Sequence, residues 1–121
     1  MYTMLGTRPD ITYAVGALSQ YSANPGKEHL NTINRVLKYL NCTKGYKLMY
    51  NGGTCKGDFS AYSDSDWAGD VCDNRSISGY VFKMAGCTVS WSSKKQSSMA
   101  LSSTEGEYMA LTHAVKEAIW I

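Results

Sequence analysis

Nowhere in this 121-residue chain do eighteen apolar residues run together, so no membrane-spanning helix is expected. Met1 to Gly6 hold no basic residue and no apolar stretch long enough for a secretory leader, and an intracellular product, cytoplasmic or nuclear, is the expectation. Cysteine is sparse and scattered. Cys42, Cys55, Cys72 and Cys87 stand more than a dozen residues apart, with no Cys-x-x-Cys pair and no histidine at zinc-ligand spacing. That excludes a zinc ribbon and favours free thiols in a reducing compartment. The charge excess is also small: twelve Lys and Arg against ten Asp and Glu leave +2, too little to argue nucleic-acid binding from electrostatics. No repeat and no low-complexity tract interrupts a composition that is 44% hydrophobic and 18% charged, ordinary for a globular chain with one core.

The hydrophobic pattern predicts helices at both ends and strands between them. Pro9 suits a first helical turn, and Ile11, Ala14, Val15 and Leu18 recur at helical spacing until Asn24-Pro25-Gly26 stops them. From Lys27 to about Asn41, Leu30, Ile33, Val36, Leu37 and Leu40 line one stripe opposite Glu28, Asn31, Arg35 and Lys38. The short Pro-Gly link between the two favours an antiparallel helical pair. Tyr46 to Tyr50 reads as a short strand, Asn51-Gly52-Gly53 as a turn and Phe59 to Asp66 as a strand. Gly79 to Ala85 and Cys87 to Ser92 form a hairpin about Gly86, with Cys87, Val89 and Trp91 alternating with Thr88, Ser90 and Ser92. A last helix runs from about Ser102 to the end, with Tyr108, Leu111, Ala114, Val115 and Ala118 at core spacing. The predicted class is α+β: an N-terminal helical pair, then a three- or four-stranded mostly antiparallel sheet with one packed C-terminal helix.

Two segments carry candidate chemistry. Ala61 to Asp70 reads Ala-Tyr-Ser-Asp-Ser-Asp-Trp-Ala-Gly-Asp, and Leu101 to Ala110 reads Leu-Ser-Ser-Thr-Glu-Gly-Glu-Tyr-Met-Ala. Alternation on a strand turns Tyr62, Asp64 and Asp66 the same way, and a helix opening at Ser102 or Ser103 across that sheet would bring Glu105 or Glu107 towards Asp64. Hard oxygen donors of this kind suit Mg²⁺. A two-metal phosphodiester hydrolase needs two more carboxylates, and none follows Glu117. The plain alternatives are a solvated strand end for Asp64 and Asp66, and a capping-box role for Glu105, three after Ser102, or Glu107, three after Thr104. Lys94-Lys95-Gln96 reads as a solvated loop or as a contact to backbone phosphates. Trp67, Trp91 and Trp120 read as packing residues, and His29 and His113 as lone histidines.

The wording of these segments resembles the ribonuclease H domain of Ty1/copia-type retrotransposon Pol polyproteins. The resemblance rests on Tyr62-Ser63-Asp64-Ser65-Asp66-Trp67-Ala68-Gly69-Asp70, on Arg75 to Phe82, on Val89-Ser90-Trp91-Ser92-Ser93-Lys94-Lys95-Gln96 and on Ala100 to Tyr108. Upstream, Gly6-Thr7-Arg8-Pro9-Asp10-Ile11 and Asn24-Pro25-Gly26-Lys27-Glu28-His29 resemble the reverse transcriptase tail that precedes that domain. The resemblance implies residues 1–50 as that tail and 51–121 as the N-terminal half of a ribonuclease H-like domain. It places the family's first metal-binding Asp at Asp64 and its Glu at Glu107. It also implies Mg²⁺ as cofactor and RNA/DNA hybrid as substrate, with Lys94 and Lys95 near the hybrid's phosphates. The family's third and fourth carboxylates come from a later Cys-Asp-Asn strand and a His-Ile-Asp segment, which this sequence does not reach. Gly106 stands where the family writes Ala, and Cys72, Asn74 and Ile77 depart from its usual Asp, Arg or Thr, as in a drifting copy.

The expectation is therefore a truncated retrotransposon remnant without catalysis of its own, its partner the missing half of the domain. A nucleic-acid or protein binding module, or an effector-like product retained from the transposon, is the alternative, although no Arg-x-Leu-Arg motif is present. A third reading is a nuclease completed by a partner's carboxylates. The strand bearing Asp64 would be central in the full domain, so here its uncovered edge invites self-association.

Overall fold

The computed structural model describes residues 1–51, 59–70 and 73–121, and it divides into two compact units, Met1–Leu48 and Met49–Ile121. The expected turn at Gly52-Gly53 and the thiols of Cys55 and Cys72 lie outside the described residues. Cys42 and Cys87 are free thiols, the second of them buried. No helix is long and apolar enough to cross a membrane among the described residues.

The first unit holds helix α1 (Tyr2–Gly6), a 3-10 turn at Pro9–Ile11, helix α2 (Thr12–Ser19) and helix α3 (Lys27–Cys42). Helix α1 was not expected, since five residues carry too little periodicity to read, and Pro9 opens the tighter 3-10 turn rather than α2 itself. Helix α3 begins where Asn24-Pro25-Gly26 ends the preceding segment. Its Gly26 N–H donates to His29 Nδ1 at 2.9 Å, and His29 stacks on Tyr21. The unit is pinned by Arg8, which is 8% exposed. Its guanidinium donates to Asp10 Oδ2 at 2.7 Å, to Thr43 Oγ1 at 2.6 Å and to the Thr43 carbonyl at 3.1 Å, while Tyr39 Oη donates to Asp10 Oδ2 at 2.8 Å. A planar fork of donors can satisfy a carboxylate and a helix C-terminus together, which an ammonium could not.

The second unit is a three-stranded antiparallel sheet in the order β1 (Phe59–Asp66), β2 (Ile77–Met84), β3 (Cys87–Lys95), with helix α4 (Ser103–Trp120) lying across β1 and β2. The α+β class and the antiparallel sheet agree with the sequence, whereas Tyr46 to Tyr50 forms no strand. No strand pairs with it among the described residues. Instead Tyr50 Oη donates to the Thr88 carbonyl and the Asn51 N–H to the Ala85 carbonyl. Among the described residues the strand bearing Asp64 is an edge strand and β2 is central.

The hairpin turn is a two-residue loop with φ of 52° at Ala85 and 76° at Gly86, the pair of positive values that matches strand twist. A bulge at Val89 lets Phe82 face Ser90 while Lys83 faces Thr88. Val89 packs on the core formed by Tyr80, Phe82 and Ala114, so β3 does not present Cys87, Val89 and Trp91 on one face as alternation alone predicts. Beyond the bulge, Ser90 is the residue turned to α4, its hydroxyl donating to Glu117 Oε1 at 2.7 Å. Of the residues placed at core spacing on the helix, only Ala114 is buried. Gly106, Ala110 and Ala114 are its buried residues, whereas Tyr108, Leu111, Val115 and Ala118 are exposed. A helix crowding a serine-lined sheet face needs small residues at the contact, and its larger ones are displaced sideways.

Two outcomes follow from these contacts. Ala85 carries a side chain in the left-handed region, where Asn is far better tolerated, so Ala85→Asn should stabilise the second unit by about 0.5–1 kcal/mol in urea unfolding. Asp10 is held at about 2 against an ordinary 3.8, first by the Arg8 hydrogen bond, with desolvation opposing and Tyr39 assisting. A depressed carboxylate contributes stability that is complete above about pH 4 and fades as pH falls towards 2. Acid titration by circular dichroism should show helix loss in that window, and Asp10→Asn should remove that step.

Candidate functional site

Strand β1 and the first turn of α4 meet through small polar residues. The face of β1 turned to the helix is that of Ser63 and Ser65, because a Cβ added at Gly106 would stand 3.1 Å from Ser65 Oγ and because Ser63 shares a cleft with Thr104, Glu107 and Tyr108. Alternation then carries Asp64 and Asp66 to the other side of the strand. Asp64 and Glu107 thus flank the same edge strand, one on each side, and Asp64 does not line the cleft that Glu107 lines.

The carboxylates of the two motifs divide into those with structural work and those without. Asp66 Oδ1 accepts from the Ile77 N–H across the loop that follows β1. Asp70 accepts from Lys95 Nζ at 2.6 Å, and Asp73 pairs with the same ammonium at 2.9 Å and with Arg75 at 3.5 Å. These bonds fold residues after β1 back onto the end of β3, with Ala68 N–H donating to Ser76 Oγ and Trp67 Nε1 to the Ala100 carbonyl. On the helix, Ser102 Oγ accepts from the Glu105 N–H at 3.2 Å, and Glu105 Oε2 accepts from the Leu101 N–H at 2.7 Å. Glu105 is a cap. Asp64 and Glu107 are exposed and make no hydrogen bond or ion pair among the described residues.

The basic pair divides the same way. Lys95 is engaged by Asp70 and Asp73, whose hydrogen bonds raise its pKa, while Lys94 is exposed and makes no ion pair among the described residues. A phosphate would find Lys94 available and would have to displace two carboxylates from Lys95.

Gln96 is the site residue that sequence reasoning passed over. Only 7% exposed, its Nε2 donates to Ser78 Oγ at 2.8 Å, to the Gly106 carbonyl at 3.1 Å and to Ser65 Oγ at 3.3 Å. Its backbone N–H donates to the Ser76 carbonyl at 2.9 Å. One amide therefore touches β1, β2 and the first turn of α4, one residue before Glu107. Its Oε1 is buried without a partner. The signal in the sequence was a Gln directly after Lys94-Lys95, which reads as loop polarity until the serines around it are placed.

The Mg²⁺ that the resemblance implies does not fit this donor set. No group of three or more His, Cys, Asp or Glu residues could hold a metal ion among the described residues. Two carboxylates on opposite sides of one strand lack the octahedral oxygen shell that Mg²⁺ demands.

No family model matches the chain, and no solved structure matches it. Among curated proteins it is 53% identical over its whole length to the secreted RxLR effector protein 161 of Plasmopara viticola, covering 84% of that protein. It is 46% identical over its whole length to the retrovirus-related Pol polyprotein from transposon TNT 1-94 of Nicotiana tabacum, of which it covers 9%. Over 95% of its length it is 44% identical to the Pol polyprotein from transposon RE1 of Arabidopsis thaliana, covering 8% of it. The chain belongs to the family of the Plasmopara protein, and its relatives include retrotransposon Pol polyproteins, of which it spans less than a tenth.

The Gln96 geometry has a direct consequence. Gln96→Leu leaves the buried Ser78 hydroxyl and Gly106 carbonyl without their donor and should cost about 2–3 kcal/mol in chemical denaturation. Ser65→Ala removes only the long 3.3 Å bond and should cost less than about 1 kcal/mol.

Proposed function

We propose that this chain is a retrotransposon-derived Pol segment, its first unit the end of a reverse transcriptase and its second the N-terminal half of a ribonuclease H-like domain. In this reading Asp64 and Glu107 stand at the positions of the parent family's metal ligands without being brought together here, and the chain does not hydrolyse RNA by itself. The observation that carries it is the division of carboxylates within each motif. Asp66 and Glu105 are spent on backbone hydrogen bonds, and the two positions that resemble the family's ligands are the two left unbonded. A solvated strand end would give no reason for the same pattern to recur on the strand and on the helix. RNA/DNA hybrid would be the parent polyprotein's substrate, met here by Lys94 before Lys95.

A second reading is favoured by one comparison. A protein named a secreted RxLR effector shares 53% identity with the whole chain, which supports an effector-like product retained from the transposon, acting as a binding module. The two readings differ in what a partner must supply: four-carboxylate chemistry needs the other half of a nuclease, whereas a binding module needs only a surface.

Labelled RNA/DNA hybrid incubated with the chain in Mg²⁺ or Mn²⁺ should remain intact, because two carboxylates cannot hold two ions about one phosphate. Metal-dependent cleavage that disappears in Asp64→Asn would overturn the proposal and favour a nuclease completed between chains.

A further inference from the structure

We propose that the second unit forms a symmetric dimer in which β1 of one copy pairs antiparallel with β1 of another, making a six-stranded sheet with two α4 helices side by side on one face. Strand β1 pairs with β2 alone among the described residues, so the N–H and C=O groups of every second residue along its eight-residue outer edge face away from β2. Above that edge the helix overhangs with its displaced apolar residues. Leu111, Val115 and Ala118 line a groove with Ala61 and Tyr62, and Tyr108 and Leu111 continue it beside Ser63. Tyr108 is 67% exposed, and Leu111 and Val115 nearly half. The opposite flank of α4 is occupied: Met109 and His113 lie towards Ser78 and Lys94, and Glu117 bonds Ser90.

A second copy fits this surface in spacing, length and charge. Strands stand ~4.8 Å apart, so a twofold axis between two β1 strands lies ~2.4 Å from each and ~4.8 Å from the β1–β2 gap that α4 covers. The two helices then run antiparallel ~10 Å apart, the distance at which helices pack directly. The eight-residue strand and the 18-residue helix are both ~27 Å long, and the apolar seam from Tyr108 to Ala118 covers ~15 Å of that length. A face of that length, one sheet and one helix deep, buries on the order of 500 Å² per copy, enough for a specific though modest interface. Keeping both helices on one face requires the axis to pass through a residue, not between two. With Ser63 on the axis, Tyr62 stands opposite Asp64 and Ser60 opposite Asp66, whereas an axis at Asp64 would stack two carboxylates. Ser63 is thus the register the charges select, and it places small residues beneath the two helices.

Sedimentation equilibrium of the full chain from micromolar to hundreds of micromolar should show a monomer–dimer equilibrium. Ser63→Lys sets two ammonium groups together on the axis, and Leu111→Arg breaks the helical seam. Each should weaken dimerisation at least about tenfold with unchanged far-UV circular dichroism, while Ile33→Arg on α3 should leave it intact. If Leu111→Arg fails to fold, Ser63→Lys decides. A chain that stays monomeric throughout would overturn the proposal, as would a dimer that only Ile33→Arg disrupts or an oligomer indifferent to both second-unit variants. The nuclease reading is untouched by any of these outcomes, since it is tested on hybrid RNA.

Discussion

The second unit depends on one buried amide. Helix α4 meets the sheet through Gly106, Ala110 and Ala114 above a face that includes Ser65, Ser78 and Ser90, so the apolar area sealed between them is small and the core reduces to Tyr80, Phe82 and Ala114 with Val89 beside it. Phe82 is the one large side chain buried to 1% exposure. With so little hydrophobic burial, the placement of the helix rests on directional bonds, and the two N–H groups of Gln96 Nε2 tie Ser78 on β2 to the Gly106 carbonyl on α4, with Ser65 on β1 a longer contact at 3.3 Å. The close approach that permits those bonds also forbids large residues at the contact. It is the same constraint that pushes Tyr108, Leu111 and Val115 outward, so the clamp and the exposed seam are two results of one packing distance.

What could be read from the sequence was whatever is decided locally. Gly26 caps α3, which follows where the stripe of Leu30, Ile33 and Leu37 places it, whereas α2 ends at Ser19, before Asn24-Pro25-Gly26 is reached. Gly86 fixes the hairpin, and Ser102 with Glu105 fixes the start of α4. What escaped was decided by neighbours. Tyr46 to Tyr50 has strand composition and no strand pairs with it among the described residues, and of the residues placed at core spacing on α4 only Ala114 is buried, the sheet's serines turning Tyr108, Leu111, Val115 and Ala118 outward. The bulge at Val89 is equally invisible, since alternation through Cys87, Val89 and Trp91 looks unbroken until the register with β2 is known.

The candidate site was legible as residue types and not as geometry. Asp64, Asp66, Glu105 and Glu107 are equivalent carboxylates on paper, and spacing leaves open which of each pair is structural. The hydrogen bonds separate them: a backbone N–H reaches Asp66 and another reaches Glu105, leaving Asp64 and Glu107 to solvent. Lys94 and Lys95 separate for the same reason, because Asp70 and Asp73 come round on the loop after β1 to claim only the second. The fold itself gives Asp64 no partner, so packing assigns it no role.

The edge of β1 also links the two functional readings physically. A strand edge accepts one neighbour, because its outward N–H and C=O groups are consumed by the first strand that pairs with them. If the rest of a ribonuclease H-like domain completes the sheet on that side, as the nuclease reading requires, Tyr108, Leu111 and Val115 are covered by that half and no self-pairing is possible. If a second copy sits there, the carboxylates of the absent half cannot approach Asp64 and Glu107 by the same route, and the assembly is committed to binding without hydrolysis. Dimer and completed nuclease are therefore alternative fates of one surface. The one that prevails in a given setting is set by the concentration of each competitor multiplied by its affinity for the outward backbone groups of β1 and the apolar seam beside them.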